Sequence, residues 1–159
     1  MTFLEKQTDP TSPMHWRGDM QADYLYPNGH AGDKFFKNLK EKGTFMATKC
    51  PKCSKVLFPA RLYCEDCFVE IPDENWIEVP PTGIIRLYTF AKLDAHWEPL
   101  ETPRCMALID VDGTDGAILG VVNVPETDDD LSGATVKAKL VPKAKREGTM
   151  KDIIYFEIY

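Results

Sequence analysis

The spacing of hydrophobic and polar positions changes character near residue 83. From there Ile85, Leu87, Thr89, Ala91 and Leu93 alternate with Arg86, Tyr88, Phe90 and Lys92, the two-residue period of a strand with one buried face. Cys105 to Val111 predicts a second strand. Asp112-Gly113 and Asp115-Gly116 are turn signals that predict a hairpin into a third strand from Ala117 to Val124. Thr135 to Val141 sets Val136, Ala138 and Leu140 against Lys137 and Lys139, and Ile153 to Tyr159 predicts the last strand. Five strands with turn residues between most of them, and no long helix, predict a small closed barrel of the OB type, with a small open sandwich as the alternative.

Upstream the pattern is different. Asp33 to Lys42 predicts a short helix, with Asp33 as N-cap, an apolar stripe of Phe35, Phe36 and Leu39, and Gly43 as the stop. About ten residues are too few for an isolated helix, so it must dock on something. Residues 1 to about 30 show no period and contain Pro10, Pro13, Gly18, Pro27 and Gly29. They also carry His15, Trp16, Tyr24, Leu25 and Tyr26, aromatics that a disordered tail usually lacks, so this arm is expected to pack on its own domain or on a partner. Glu70 to Pro81, broken by Pro72, Pro80 and Pro81, reads as a linker or edge strand. The resulting division is an N-terminal arm and docking helix over 1–43, a cysteine module over 44–70 and a barrel over 71–159. The fold class is mainly β.

The cysteines change the picture most. Four of the five form two pairs, Cys50-x₂-Cys53 and Cys64-x₂-Cys67. Two residues between cysteines let one tight turn present both sulfurs to one ion, and two such turns complete a tetrahedron of Zn–S bonds of ~2.3 Å. No apolar stretch follows a basic N-terminus as in a secretory signal, so a reducing cytoplasmic location is expected and metal is favoured over disulfides. Four cysteines fill the coordination sphere, so the zinc is structural rather than catalytic. Iron would fit the same thiolates. Lys49, Lys52, Lys55 and Arg61 lie around the pairs and would partly offset the charge of the site. Cys105, in an apolar strand pattern, reads as a small buried hydrophobe.

Formal net charge is −6. A Cys₄ zinc site adds −2, four thiolates against one Zn²⁺, for about −8 in all. That balance argues against nucleic acid, whose binding rests on basic patches. No apolar run approaches the ~20 residues of a membrane helix. The chain contains no nucleophile elbow and no phosphate-binding glycine loop. His15, His30 and His96 are scattered. His96, in Asp94-Ala95-His96-Trp97-Glu98, and the acidic run Asp128-Asp129-Asp130 read as solvated loops. Lys143, Lys145 and Arg146, near Lys137 and Lys139, are candidates for a phosphate or an acidic partner, set against the reading of an ordinary exposed hairpin.

The order of the parts is specific. A Phe-Phe-x-x-Leu helix ending at Gly43 precedes Cys50-Pro51-Lys52-Cys53, then Phe58-Pro59-Ala60-Arg61, Cys64-x₂-Cys67, Trp76 and the strand from Thr82 to Phe90. This resembles the DUF35 family, a rubredoxin-like zinc ribbon followed by an OB-fold, over about Asp33 to Tyr159. Ser54 departs from the glycine usual after the first knuckle and Ala60 from a frequent second proline, and neither is a ligand. The resemblance implies a non-catalytic companion of acyl-CoA enzymes, above all thiolase-like proteins, that packs on the catalytic subunit and helps shape its coenzyme A channel. Coenzyme A thioester would be bound mainly by that partner, in a hetero-oligomer of two plus two. Trp16, Tyr24, Tyr26, Phe35 and Phe36 would contact the partner, and Lys143, Lys145 and Arg146 are the coenzyme A phosphate candidates. The aromatic arm is similar to that of a small thiolase subunit of anaerobic aromatic degradation. Other members of the family serve hydratases or thiolase-fold aldolases.

Two further readings compete. A single-stranded nucleic-acid module would stack bases on Tyr88 and Phe90, which share one strand face. An autonomous enzyme would use His96 with its neighbouring carboxylates.

Overall fold

A computed structural model describes residues 26–94 and 96–159. The arm up to residue 25, with Trp16 and Tyr24, lies outside the described residues.

Among the described residues one α-helix, α1 (Gly29–Glu41), leads into β1 (Phe45–Lys49), β2 (Val56–Leu57), β3 (Trp76–Val79), β4 (Thr82–Leu93), β5 (Pro99–Val111), β6 (Ala117–Val122), β7 (Thr135–Leu140) and β8 (Ile153–Ile158). The first three strands form a small sheet in the order β2-β1-β3, and the last five close a barrel in the order β4-β5-β6-β8-β7. All barrel pairs are antiparallel except β6 with β8, which run parallel and meet at Val122 and Phe156. That order, closed by one parallel pair, is the Greek-key barrel of an OB-fold, the architecture that the alternating segments predict.

The helix begins earlier than the sequence suggests. Its N-cap is Asn28, and Asp33 lies inside it. The extra turn contains Gly29 and Gly32, poor helix formers. It is supported by tertiary contacts: His30 meets the Trp76 ring edge-on at 6.0 Å, and the Lys34 ammonium lies 4.3 Å from the centre of the same ring. The helix ends as its sequence implies. Gly43 takes φ +75° and donates to the carbonyls of Asn38 and Leu39, and the buried Asn38 amide donates to Thr44.

β3 pairs with β1 from Phe45–Val79 to Thr48–Trp76. The ribbon sheet therefore takes in a strand from beyond residue 70, and the chain passes into the barrel at Pro80–Pro81. Of the two readings of the proline-bracketed segment, linker or edge strand, residues Trp76–Val79 take the second.

Phase along β4 is the second difference. Ile85 is buried, but a bulge at Arg86 shifts the register between Ile85 and Leu87. One inserted residue flips every later side chain to the other face. Leu87 therefore points out and is 63% exposed, while Tyr88 and Phe90 turn in and pack on the core, their rings edge-to-face at 5.9 Å.

One core runs through helix, ribbon sheet and barrel, joining Phe35 and Leu39 to Phe45, Phe58 and Val79 and on to Ile85, Ile109, Val136 and Phe156. The ribbon is clamped to the barrel at the β5–β6 turn. Val56 N–H donates to the Asp115 carboxylate at 2.8 Å, and Asp115 N–H donates to the Val56 carbonyl at 2.7 Å. Beside this pair a Cβ on Gly116 would sit 2.1 Å from the Phe58 carbonyl oxygen, so no side chain fits there.

Candidate metal centre

The two knuckles are built alike. In the first, Cys50 N–H donates to the Lys55 carbonyl at 2.8 Å and Ser54 N–H returns to the Cys50 carbonyl at 3.0 Å. In the second, Cys64 N–H donates to the Val69 carbonyl at 3.0 Å and Phe68 N–H returns to the Cys64 carbonyl at 2.9 Å. Each turn closes on a residue in the left-handed region, Ser54 at φ +62° and Phe68 at φ +54°. That conformation is the physical reason glycine suits this position and explains what the serine replaces. Thr48, fully buried, fixes the second knuckle against β1 by donating to the Arg61 carbonyl and accepting from the Arg61 N–H.

The four sulfurs converge to within 4.8 Å of one another, and those of Cys53 and Cys64 are 3.7 Å apart. Sulfurs bound at ~2.3 Å to one tetrahedral ion lie ~3.8 Å apart along each edge, whereas a disulfide would bring them to ~2.0 Å. Lys52 and Cys53 N–H groups point at the Cys50 sulfur from 3.4 and 3.5 Å. With the Cys53 N–H as the main cause, and against burial, the Cys50 thiol is lowered to about 6. Burial, with the neighbouring sulfurs, pushes Cys67 up to about 12. Four thiolates at this spacing repel one another, so full ionisation calls for a cation. The donor set fits zinc. Around it, Lys55 is held by Asp66 and Arg61 by Glu65, so these two cations are paired with carboxylates of the second knuckle rather than free to offset the site. The ribbon's own buried cluster is Cys50, Leu57, Cys64 and Ile71, too little apolar surface to hold two knuckles together without a metal.

The other singled-out residues separate. Phe35 is only 6% exposed, packed among Phe36, Phe45 and Phe58 at 5.4 to 6.0 Å, so the apolar stripe of α1 docks on its own chain and offers a partner little. Phe36 is partly buried and Tyr26 is exposed. Lys143 and Lys145 are exposed on a 3₁₀ turn between β7 and β8. Arg146 is partly committed within the chain: its Nε donates to the Val141 carbonyl at 2.7 Å and its Nη1 to the Leu39 carbonyl at 3.4 Å, capping α1. Cys105 is 1% exposed and burial raises its thiol. The Asp94 carboxylate accepts the N–H groups of His96 and Glu98, and the Asp130 carboxylate that of Ser132, so both acidic loops spend carboxylate oxygens on their own backbone. Among the described residues, the cysteines are the one group of three or more histidine, cysteine or carboxylate donors that converges. No helix of the described residues is long and apolar enough to cross a membrane.

Fold and site together define a zinc-ribbon protein with an OB barrel. Residues 38–73 match the family model of the ChsH2 rubredoxin-like zinc ribbon domain. A crystal structure of a DUF35-family protein of unknown function from Sulfolobus solfataricus is similar, with 28% identity and a TM-score of 0.59 over 82% of this chain and 84% of that one. A structure described as an Ltp2–ChsH2(DUF35) aldolase matches with a TM-score of 0.55 over 87% of this chain and 98% of that one; at 17% identity the likeness is one of fold. No curated protein matches the chain in sequence. Residues 38–73 thus carry a rubredoxin-like zinc ribbon, and the chain as a whole is similar to DUF35-family proteins.

Proposed function

We propose that the chain is a non-catalytic, zinc-containing accessory subunit of a thiolase-type acyl-CoA enzyme, stabilising the catalytic partner and helping to shape its coenzyme A site. The observation that carries this reading is a metal centre closed by four cysteines, with no coordination position left for substrate, set in the ribbon-and-barrel order of DUF35 proteins. Within that reading residues 1–43 are the arm and helix that precede the ribbon, with Trp16, Tyr24 and Tyr26 as partner contacts, and Lys143 and Lys145 remain the candidates for coenzyme A phosphates. The aromatic arm points to the small subunit of benzoylsuccinyl-CoA thiolase, from anaerobic toluene breakdown. The partner holds the acyl-CoA, and assembly is two plus two.

An accessory role on a thiolase-fold aldolase, or on a hydratase, is the second reading, and the aldolase named for one structural neighbour favours it. The packing of the half-buried Tyr88 and Phe90 rings against the core weighs against the nucleic-acid reading.

The test is to reconstitute the catalytic subunit with and without this chain and follow thioester cleavage. Activity that needs the chain, together with a raised KM for the coenzyme A substrate in Lys143→Glu/Lys145→Glu, supports the proposal. Full activity of the partner alone sinks it.

A further inference from the structure

Strands β5 and β6 are apolar on both parities. Cys105, Ala107, Ile109, Ile118 and Val122 fill the barrel, yet Met106, Leu108, Leu119 and Val121 on the alternate positions are also apolar. A strand that is apolar on both sides is one that is covered on both sides, yet on the outer side the described residues leave Leu119 exposed and Met106, Leu108 and Val121 only half-buried. Across β4, β5 and β6 the register sets Leu87 opposite Leu108 and Leu108 opposite Leu119 in one outward row, with Thr89, Met106 and Val121 as the next. The two outer leucines of the first row are each 63% exposed. The bulge at Arg86 is what turns Leu87 into this row. Next to it, Arg86 and Asp110 neutralise each other as a bidentate pair. Val121 joins the rows to a mixed groove of about 1010 Å³ between β5 and the β6–β8 gap, with Leu100 and Ile154 but also Glu101, Arg104 and Glu126 on its walls.

The patch reaches on the order of 500 Å², the size at which exposed apolar patches on monomers carry a function. With the groove it approaches the about 800 Å² per partner that a stable interface buries. OB barrels bind polymers on this same pair of strands, but the two rows themselves carry no charge and no aromatic ring, which suits neither phosphates nor sugars. Two chains of net charge −6 repel each other, which disfavours a second copy. We propose that this outer face, centred on the row Leu87, Leu108 and Leu119, is the docking surface for an uncharged, apolar surface of the catalytic subunit. The proposal rests on the accessory-subunit reading and specifies where that contact lies.

The experiment is affinity purification of the tagged full-length chain from its native cells, with bound proteins identified and quantified by mass spectrometry. Leu119→Lys, Leu87→Glu and, as control on another exposed apolar site, Tyr159→Lys are run beside the wild type. Zinc content and far-UV circular dichroism establish that each variant folds. The expected result is a thiolase-fold acyl-CoA enzyme in equal amount with wild type and Tyr159→Lys, reduced tenfold or more by either charge on the row. Retention of that enzyme by both row variants overturns the docking surface and leaves the accessory role standing. A wild type that brings down no acyl-CoA enzyme overturns both, as does a self-dimer that the row variants dissociate in place of a heteromeric complex.

Discussion

Asp152 is buried at 2% exposure and is held by backbone alone: the N–H groups of Glu147 and Gly148 donate to its two oxygens at 2.9 and 2.7 Å, and it closes a capping box with Thr149. Burial opposes its charge, but these N–H groups outweigh burial and hold its carboxyl below the ordinary range. A lowered carboxyl stabilises the fold above the ordinary carboxylate pKa, and that stabilisation is lost as pH falls through the lowered value. Asp152→Asn is therefore expected to cost about 2–3 kcal/mol near neutral pH, read from urea midpoints, and to flatten the acid limb of the stability profile. The metal ligands follow a related logic, because protons compete with metal for thiolates. Cys50→Ser and Cys64→Ser are expected to drop bound zinc from one per chain to a small fraction, measured by elemental analysis. At this scale the sequence is legible where spacing alone does the work, as in the four cysteines. It is not legible where the partner of a side chain is distant in sequence. Nothing near Arg146 reveals that it caps a helix over a hundred residues upstream, and a helical stripe containing Phe35 does not say which body will cover it.

Elements differ in the same way. Turn residues and alternation place five strands and the β5–β6 turn, but β5 begins at Pro99, six residues before the predicted Cys105. The bulge in β4 escapes that reading because Ile85 and Leu87 on one parity and Tyr88 and Phe90 on the other are all apolar, so either phase looks buried. The early start of α1 escapes it because Trp76, not local propensity, supports the first turn. The ribbon–barrel clamp is also invisible in the sequence, since Asp115 reads only as a turn residue. Replacing it by alanine removes one exposed hydrogen bond from the Val56 N–H and is expected to lower stability by about 1 kcal/mol. Gly116→Ala is expected to be worse, because its methyl would overlap the Phe58 carbonyl. Thermal melting of both variants checks the order; a Gly116→Ala protein as stable as the wild type would contradict this packing.

For the whole molecule, the shared core decides how metal loss is felt. Phe45, Ala47, Phe58 and Val79 come from the ribbon sheet but belong to the same cluster as the barrel interior. Chelation is therefore expected to lower the melting temperature in a single transition rather than release the ribbon while the barrel melts unchanged. Calorimetry with and without chelator distinguishes the two. The central claim, that this chain serves an acyl-CoA enzyme without performing its chemistry, is tested most directly by native mass spectrometry of the complex purified through this chain. The expected result is a hetero-oligomer with equal numbers of this chain, each carrying one zinc, and of a larger thiolase-fold subunit. A zinc-loaded chain recovered by itself, from cells whose acyl-CoA enzymes keep full activity without it, would contradict the account.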